Sequence, residues 1–250
     1  MKSRDRGVSY EPVVVEVCLG QSTSALESFG RERMLLTTHL PTPFVSQVIR
    51  LVAPQFVDAE IVVTSDVDML ALSPTLLDYC AGLIISGQTD FVVARDVLPP
   101  GQYPICYCLA SPSIWQRVMG SQDSATVGNV LQDIFNERVE GSVYNGSRGG
   151  SGWFADQETI YARLAEAREA GLRVSLLEDS FTGHQRLDRV NLRGLLSRLI
   201  ALKGVLAGFY TDFHLEVPIR PAGLGFVLLV LVFQKVGGAF RRILSPFSKH

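Results

Sequence analysis

Short β-branched runs alternate along this chain with segments of helical spacing, and that alternation limits the fold more than any other feature. "VVVEVCL" (13–19), "EIVVTS" (60–65) and "DFVVARD" (90–96) read as strands that are almost continuously apolar, with "MLLTTHL" (34–40) as a shorter one. A strand that needs no polar alternate residue is covered on both faces, which is the habit of parallel sheets under helices. Between the strands, "TPFVSQVIRLVAPQF" (42–56) offers Thr42 as N-cap and Pro43 at the first helical position. Phe44, Val45, Val48, Leu51 and Val52 then follow at helical spacing. "SPTLLDYCAGLIISG" (73–87) again starts Ser-Pro and ends at Gly87. The pattern predicts an α/β domain with a mostly parallel sheet flanked by helices.

After Asp96 the alternation loosens. A strand and a short helix are expected over 103–120, an amphipathic helix over 127–139, a Gly/Ser/Asn loop over 141–152, and a helix over 156–171 closed by Gly171. "RVSLLED" (173–179) reads as a strand. The loop holds "GSRGG" but lacks phosphate-loop spacing, and reads as a lid near a site. Cys106 and Cys108 flank Tyr107 in an apolar run and read as buried thiols, as no ligand set for zinc surrounds them. The polar start "MKSRDRGVSYEP" shows no secretory signal, so a cytoplasmic location is expected.

Charge divides the chain. Residues 186–250 carry 10 Lys or Arg against 3 Asp or Glu, a net +7, behind a body at −9 over residues 1–185. "VNLRGLLSRLIALKGVLAGF" (190–209) is a basic amphipathic helix, and "AGLGFVLLVLVF" (222–233) is an apolar run of 12 residues, short of the ~20 that span a bilayer. Two domains are expected: 1–185 as the α/β body, and 186–250 as a basic, apolar helical tail that makes peripheral membrane contact. The alternative is a helical cap with a solvated basic face. No nucleic-acid partner is indicated.

In "VVTSDVDMLAL" (62–72) a buried strand ends in two acids, Asp66 and Asp68, one residue apart. Ligands of open α/β sheets sit at the carboxyl ends of strands. Two carboxylates on one side of an extended segment repel unless a cation or ordered donors neutralise them. A divalent ion does so and keeps positions open for phosphate oxygens. A turn in which both acids cap backbone N–H groups is the plainer alternative.

With "VIRLVAPQF" (48–56) ahead of "IVVTSDVDMLAL" (61–72), "CYCLASPSIWQR" (106–117) between, and "WFADQETIY" (153–161) behind, the chain resembles the GT-A-type glycosyltransferases, closest to the family 8 branch. Members carry an Arg-containing helix before a strand ending in D-x-D, and an Asp-Gln pair opening a later helix. The resemblance spans roughly residues 13–185. It implies a GT-A-like, Rossmann-type sheet. It also implies a metal-dependent transfer of sugar from a UDP- or GDP-sugar donor to a glycan or lipid-linked acceptor.

Residue by residue, it implies that Asp66 and Asp68, with Ser65 beside them, bind Mn²⁺ or Mg²⁺ bridging the donor diphosphate. Arg50 lies near sugar or diphosphate, and Asp156 and Gln157 on the sugar side. His184, in "EDSFTGHQR", completes the metal shell, although the family's Lys-Pro-Trp after its late histidine is missing here. Asp156 serves as the base in an inverting reaction or, with Gln157, stabilises the sugar in a retaining one, which the likeness slightly favours. The bland alternatives are an N-cap for Asp156, a surface ion pair for Arg50 and an ordinary loop position for His184. His39 and His214 receive no role. The rival functions are a sugar-phosphate nucleotidyltransferase, whose Gly-rich basic loop is not evident, and a non-enzymatic, membrane-attached α/β binding module.

Overall fold

Two of the expected strands pair with each other: β1 (Glu16–Leu19) and β2 (Arg33–Leu36) lie parallel, with Cys18 opposite Leu35. The structure is a computed structural model describing residues 16–19, 33–36, 39–66, 68–73, 75–120, 124–139, 141, 144, 146–188, 192, 194–215 and 221–244. The polar N-terminal stretch, part of the strand at 13–19, part of the loop at 141–152 and the start of the helix at 190–209 lie outside the described residues.

In chain order there follow α1 (Thr42–Val52) with a 3₁₀ turn (Ala53–Phe56), β3 (Val62–Val63), β4 (Met69–Ala71), α2 (Thr75–Ile85) and β5 (Phe91–Val93). Next come β6 (Cys108–Ala110), α3 (Pro112–Met119), α4 (Ser124–Arg138), α5 (Ala155–Glu169), β7 (Val174–Leu176) and the short α6 (Asp179–Thr182). The chain closes with β8 (Arg186–Asp188), α7 (Leu195–Ala207), β9 (Asp212–His214) and α8 (Pro221–Leu244). The α/β class is as expected. Thr42 is not the N-cap of α1: Pro41 holds that position, and the helix has no side-chain cap.

The chain forms two compact units, Met1–Thr64 with Cys80–Leu176, and Ser65–Tyr79 with Leu177–His250. The division therefore differs from a simple cut at 185, because the second unit also takes in the D-x-D segment.

The first unit holds a four-stranded sheet in the order β3-β6-β5-β7. Only β5 and β7 are parallel; β6 runs antiparallel to both β3 and β5. The sheet is thus mixed rather than mostly parallel. The reason lies in residues 94–107, which carry Pro99, Pro100, Gly101 and Pro104 and form no helix. Without a crossover helix the chain returns antiparallel. It re-enters the sheet at Tyr107, held at φ 65° by its N–H to the Thr64 carbonyl and its own carbonyl to the Ala94 N–H. Phe91, Val92 and Val93 are all fully buried, which accounts for their unbroken apolar run. Phe44, Val48 and Leu51 of α1, Trp115 of α3, Leu131 and Ile134 of α4, and Ile160 and Leu164 of α5 complete that core. Removing a ring as well packed as Trp115 or Phe44 costs about 3–5 kcal/mol. Cys106 and Cys108 are buried free thiols, as expected. Burial pushes the Cys108 thiol well up, so it stays neutral.

The second unit holds a three-stranded sheet, β4-β9-β8, in which β4 is antiparallel and β8 parallel to β9. "RLD" and "DFH" alternate polar, apolar, polar, so Leu187 and Phe213 turn one way and their neighbours the other. Leu187 and Phe213 pack with Leu72, Leu202, Val205, Phe226 and Val230. Helices α7 and α8 supply the last four of these. Among the described residues no helix is long and apolar enough to cross a membrane.

Candidate functional site

The D-x-D segment leaves β3 and turns into β4. The Met69 N–H donates to the Asp66 carbonyl (3.0 Å), and the Leu215 N–H donates to the Asp68 carbonyl (2.6 Å), which ties Asp68 to the end of β9. Strand register does the rest. Met69 lies opposite His214, and His214 lies opposite Asp188. A three-strand row therefore carries Asp68 at its start, His214 in the middle and Asp188 beyond. The His214 ring lies between the two acids, with Nε2 3.0 Å from Asp68 Oδ2 and Nδ1 3.3 Å from Asp188 Oδ2. All three side chains are partly exposed, at 21% for Asp68, 23% for His214 and 33% for Asp188, so a solute can reach them.

This arrangement constrains protonation. A neutral imidazole has one N–H and one lone pair. If Nδ1–H donates to Asp188, the Nε2 lone pair faces a carboxylate oxygen. That contact is repulsive unless a proton or a metal cation lies between. At 3.0 Å the two atoms stand at ordinary hydrogen-bond distance, a separation that neighbouring ligands of one small divalent cation would also have. Asp188 then has the outer role of a carboxylate that fixes the tautomer and aim of a ligating histidine. Among the described residues no group of three or more His, Cys, Asp or Glu is arranged to hold a metal. Asp68 and His214 are the two potential metal-ligating side chains that this row brings together.

His184 is engaged elsewhere. Its Nδ1 is 2.8 Å from Thr211 Oγ1, and its Nε2 lies 3.4 Å from Asp212 Oδ1, an ion-pair distance rather than a short hydrogen bond. Both His184 and Asp212 are buried. Arg186 Nε–H donates to Asp212 Oδ2 (3.1 Å). Burial alone would raise the Asp212 carboxyl, but His184 and Arg186 outweigh it and hold the group below the usual carboxylate range. The histidine that the fold brings to the D-x-D segment is His214, which sequence reasoning left without a role. The available signal was the alternation in "TDFHLEV", which puts Asp212 and His214 on one face and Phe213 on the other.

In the first unit the structure brings Arg50 and Asp156 together. Arg50 stands in the last turn of α1 and Asp156 in the first turn of α5, where the helix dipole favours an acid. Asp156 is fully buried. Its Oδ2 accepts from Arg50 Nε (3.0 Å) and Arg50 Nη2; its Oδ1 accepts from Gln47 Nε2 (2.9 Å) and the Gln157 N–H (2.9 Å). Tyr144 O–H in turn donates to Gln47 Oε1 (3.2 Å). Four hydrogen bonds fill the four lone-pair positions of a carboxylate. Asp156 is not an N-cap, since Phe154 holds that position. The Gln157 carbonyl accepts from the Tyr103 N–H (3.2 Å). Ser65 is exposed, and its hydroxyl makes only a long bond to the Asp66 carbonyl (3.4 Å).

Comparison with protein-family models, with curated proteins and with solved structures found no match for this chain.

Proposed function

We propose that the chain is a metal-dependent glycosyltransferase of GT-A-like type, moving sugar from a UDP- or GDP-sugar to a glycan or lipid-linked acceptor. The observation that supports it most is the 3.0 Å edge between Asp68 Oδ2 and His214 Nε2, backed by Asp188 on the far nitrogen. Asp68 and His214 would hold Mn²⁺ or Mg²⁺, with Asp66 beside them in the same turn. When bound, the ion would stabilise, as a Lewis acid, the negative charge that grows on the departing diphosphate. Asp188 keeps the Nδ1 proton of His214, so that Nε2 presents its lone pair.

In the first unit, Asp156 is a positioning residue in this reading. It fixes the Arg50 guanidinium, whose Nε and Nη2 both donate to Asp156 Oδ2. An inverting transfer requires a base able to take the acceptor proton. The four bonds on Asp156 argue against it in that role and favour a retaining course.

The test is donor hydrolysis. The protein with Mn²⁺ and a panel of UDP- and GDP-sugars is followed by mass spectrometry for free sugar and nucleoside diphosphate. Release from one donor, abolished in Asp68→Ala, supports the reading; no release from any donor with or without candidate acceptors opposes it. A second reading draws on the same row. A protonated His214 satisfies both carboxylates without any metal, which would make the second unit a binding module with a structural ion triad. That reading expects indifference to Mn²⁺.

A further inference from the structure

Helices α7 and α8 each bury one face and expose another that is also apolar. On α7, Ala201, Leu202 and Val205 are buried, while Leu196 (71% exposed), Leu199, Ile200 (61%) and Leu206 face outward. On α8, Phe226 and Val230 are buried, while Leu228, Leu229, Val232 and Val236 face outward. The exposed positions recur as i, i+3, i+4, i+7, i+10 on α7 (196, 199, 200, 203, 206) and as i, i+1, i+4, i+7, i+8 on α8 (228, 229, 232, 235, 236), which makes a single stripe on each. Phe209, just past α7, adds an exposed ring. Nine of the thirteen exposed large hydrophobic residues described in the chain lie between 196 and 236, so the apolar surface is concentrated and not scattered.

What covers this surface is indicated by its charge. Each stripe contains one exposed lysine at its i+7 position, Lys203 on α7 and Lys235 on α8. Neither helix contains an acidic residue, whereas α7 also has Arg198 and α8 also has Arg241 and Arg242. Lysine amid leucine and valine is disfavoured at the dry centre of a protein–protein interface. It suits a bilayer interface, where the aliphatic stem lies along acyl chains and the ammonium reaches the phosphates. Neither helix is available to span the bilayer, because Leu202 and Val205 of α7 and Phe226 and Val230 of α8 are docked in the second unit's core, and Gln234 Nε2 of α8 donates to the Leu72 carbonyl (2.7 Å).

We propose that the outer faces of α7 and α8 dock the second unit on an anionic phospholipid surface, lying in the interface plane. This inference stands on the two helices and does not depend on the metal reading.

Flotation of the full chain with vesicles of phosphatidylglycerol and phosphatidylcholine, and with phosphatidylcholine alone, tests it. Binding is expected to the anionic vesicles, with clear weakening at high salt and on neutral vesicles. Lys203→Gln with Lys235→Gln should weaken it about 30-fold, from roughly 1 kcal/mol per lysine. Ile200→Ser with Leu229→Ser should weaken it at least about 10-fold. Both variants change exposed side chains, so their melting temperatures should match the parent. Absence of flotation on anionic vesicles would overturn the proposal, as would flotation that both double variants leave intact. A dimer in sedimentation that Leu229→Ser dissociates, in a chain that ignores vesicles, would overturn it in favour of self-association.

Discussion

In the first unit Asp156 is fully buried and accepts four hydrogen bonds, whereas in the second unit Asp68 remains 21% exposed, with one oxygen 3.0 Å from His214 Nε2. Both acids were singled out for chemistry by the same sequence resemblance. Their surroundings separate them. A carboxylate whose lone pairs are all engaged by protein donors is held in place and holds others in place. A carboxylate at a strand end, with one oxygen set against an imidazole, can still change its partner for a cation. The comparison teaches that burial and hydrogen-bond saturation, more than residue identity, separate a carboxylate fixed in the core from one that a solute can reach.

The strongest challenge to this contrast is a pair of alanine variants. Asp68→Ala should lower the proposed sugar transfer about 10³-fold, several kcal/mol of lost charge stabilisation, with the fold intact by circular dichroism. Arg50→Ala should act mainly on stability. It strands a buried carboxylate at a cost of about 2–3 kcal/mol, less than for a fully buried pair because the Arg50 side chain is 26% exposed. Urea denaturation reads that loss directly. If Arg50→Ala unfolds no more easily than the parent, Asp156 is not the fixed anchor described.

Finer discrimination comes from Asp188, which touches His214 and not the proposed ion. Asp188→Asn should weaken Mn²⁺ binding about 10–100-fold while leaving the melting temperature of the metal-free protein nearly unchanged. The smallest effect is on acid stability, and Asp212 carries it. Its carboxyl is held below the ordinary range, so folding is favoured by its ionised form. That contribution is complete above the unfolded value of about 3.9 and is lost as pH falls past it toward the lower folded value. Between pH 6 and pH 3 the parent should therefore lose more stability than Asp212→Asn, as followed by the urea midpoint.

Much of the first unit was legible in the sequence. The apolar runs at 60–65 and 90–96 and the helix at 156–171 announce themselves by period, and β3, β5 and α5 follow. The direction of β6 was not legible, because it depends on whether 94–107 forms a crossover helix. The small sheet of the second unit was not legible: β8 ("RLD") and β9 ("DFH") are mostly polar, so no apolar run marks them as the runs at 60–65 and 90–96 mark β3 and β5. For the same reason His214 went unnoticed. Its partner Asp68 is 146 positions away, and only strand register brings them together. The same applies to Arg50 and Asp156, whose pairing spans 106 positions. His184 follows a predicted strand in a glycine-containing loop, and the structure turns it toward Thr211 and Asp212.

The most direct test of the account is thermal unfolding of the full chain with Mn²⁺ alone, UDP alone, and both, repeated for Asp68→Ala and His214→Ala. A cation held by this edge and bridged to a diphosphate should make Mn²⁺ with UDP raise the melting temperature by about 5 °C or more at saturating ligand, well beyond either alone. Both variants should abolish the joint shift. A parent protein whose melting temperature ignores the pair, or variants that retain the full shift, would contradict the claim that Asp68 and His214 grip a metal.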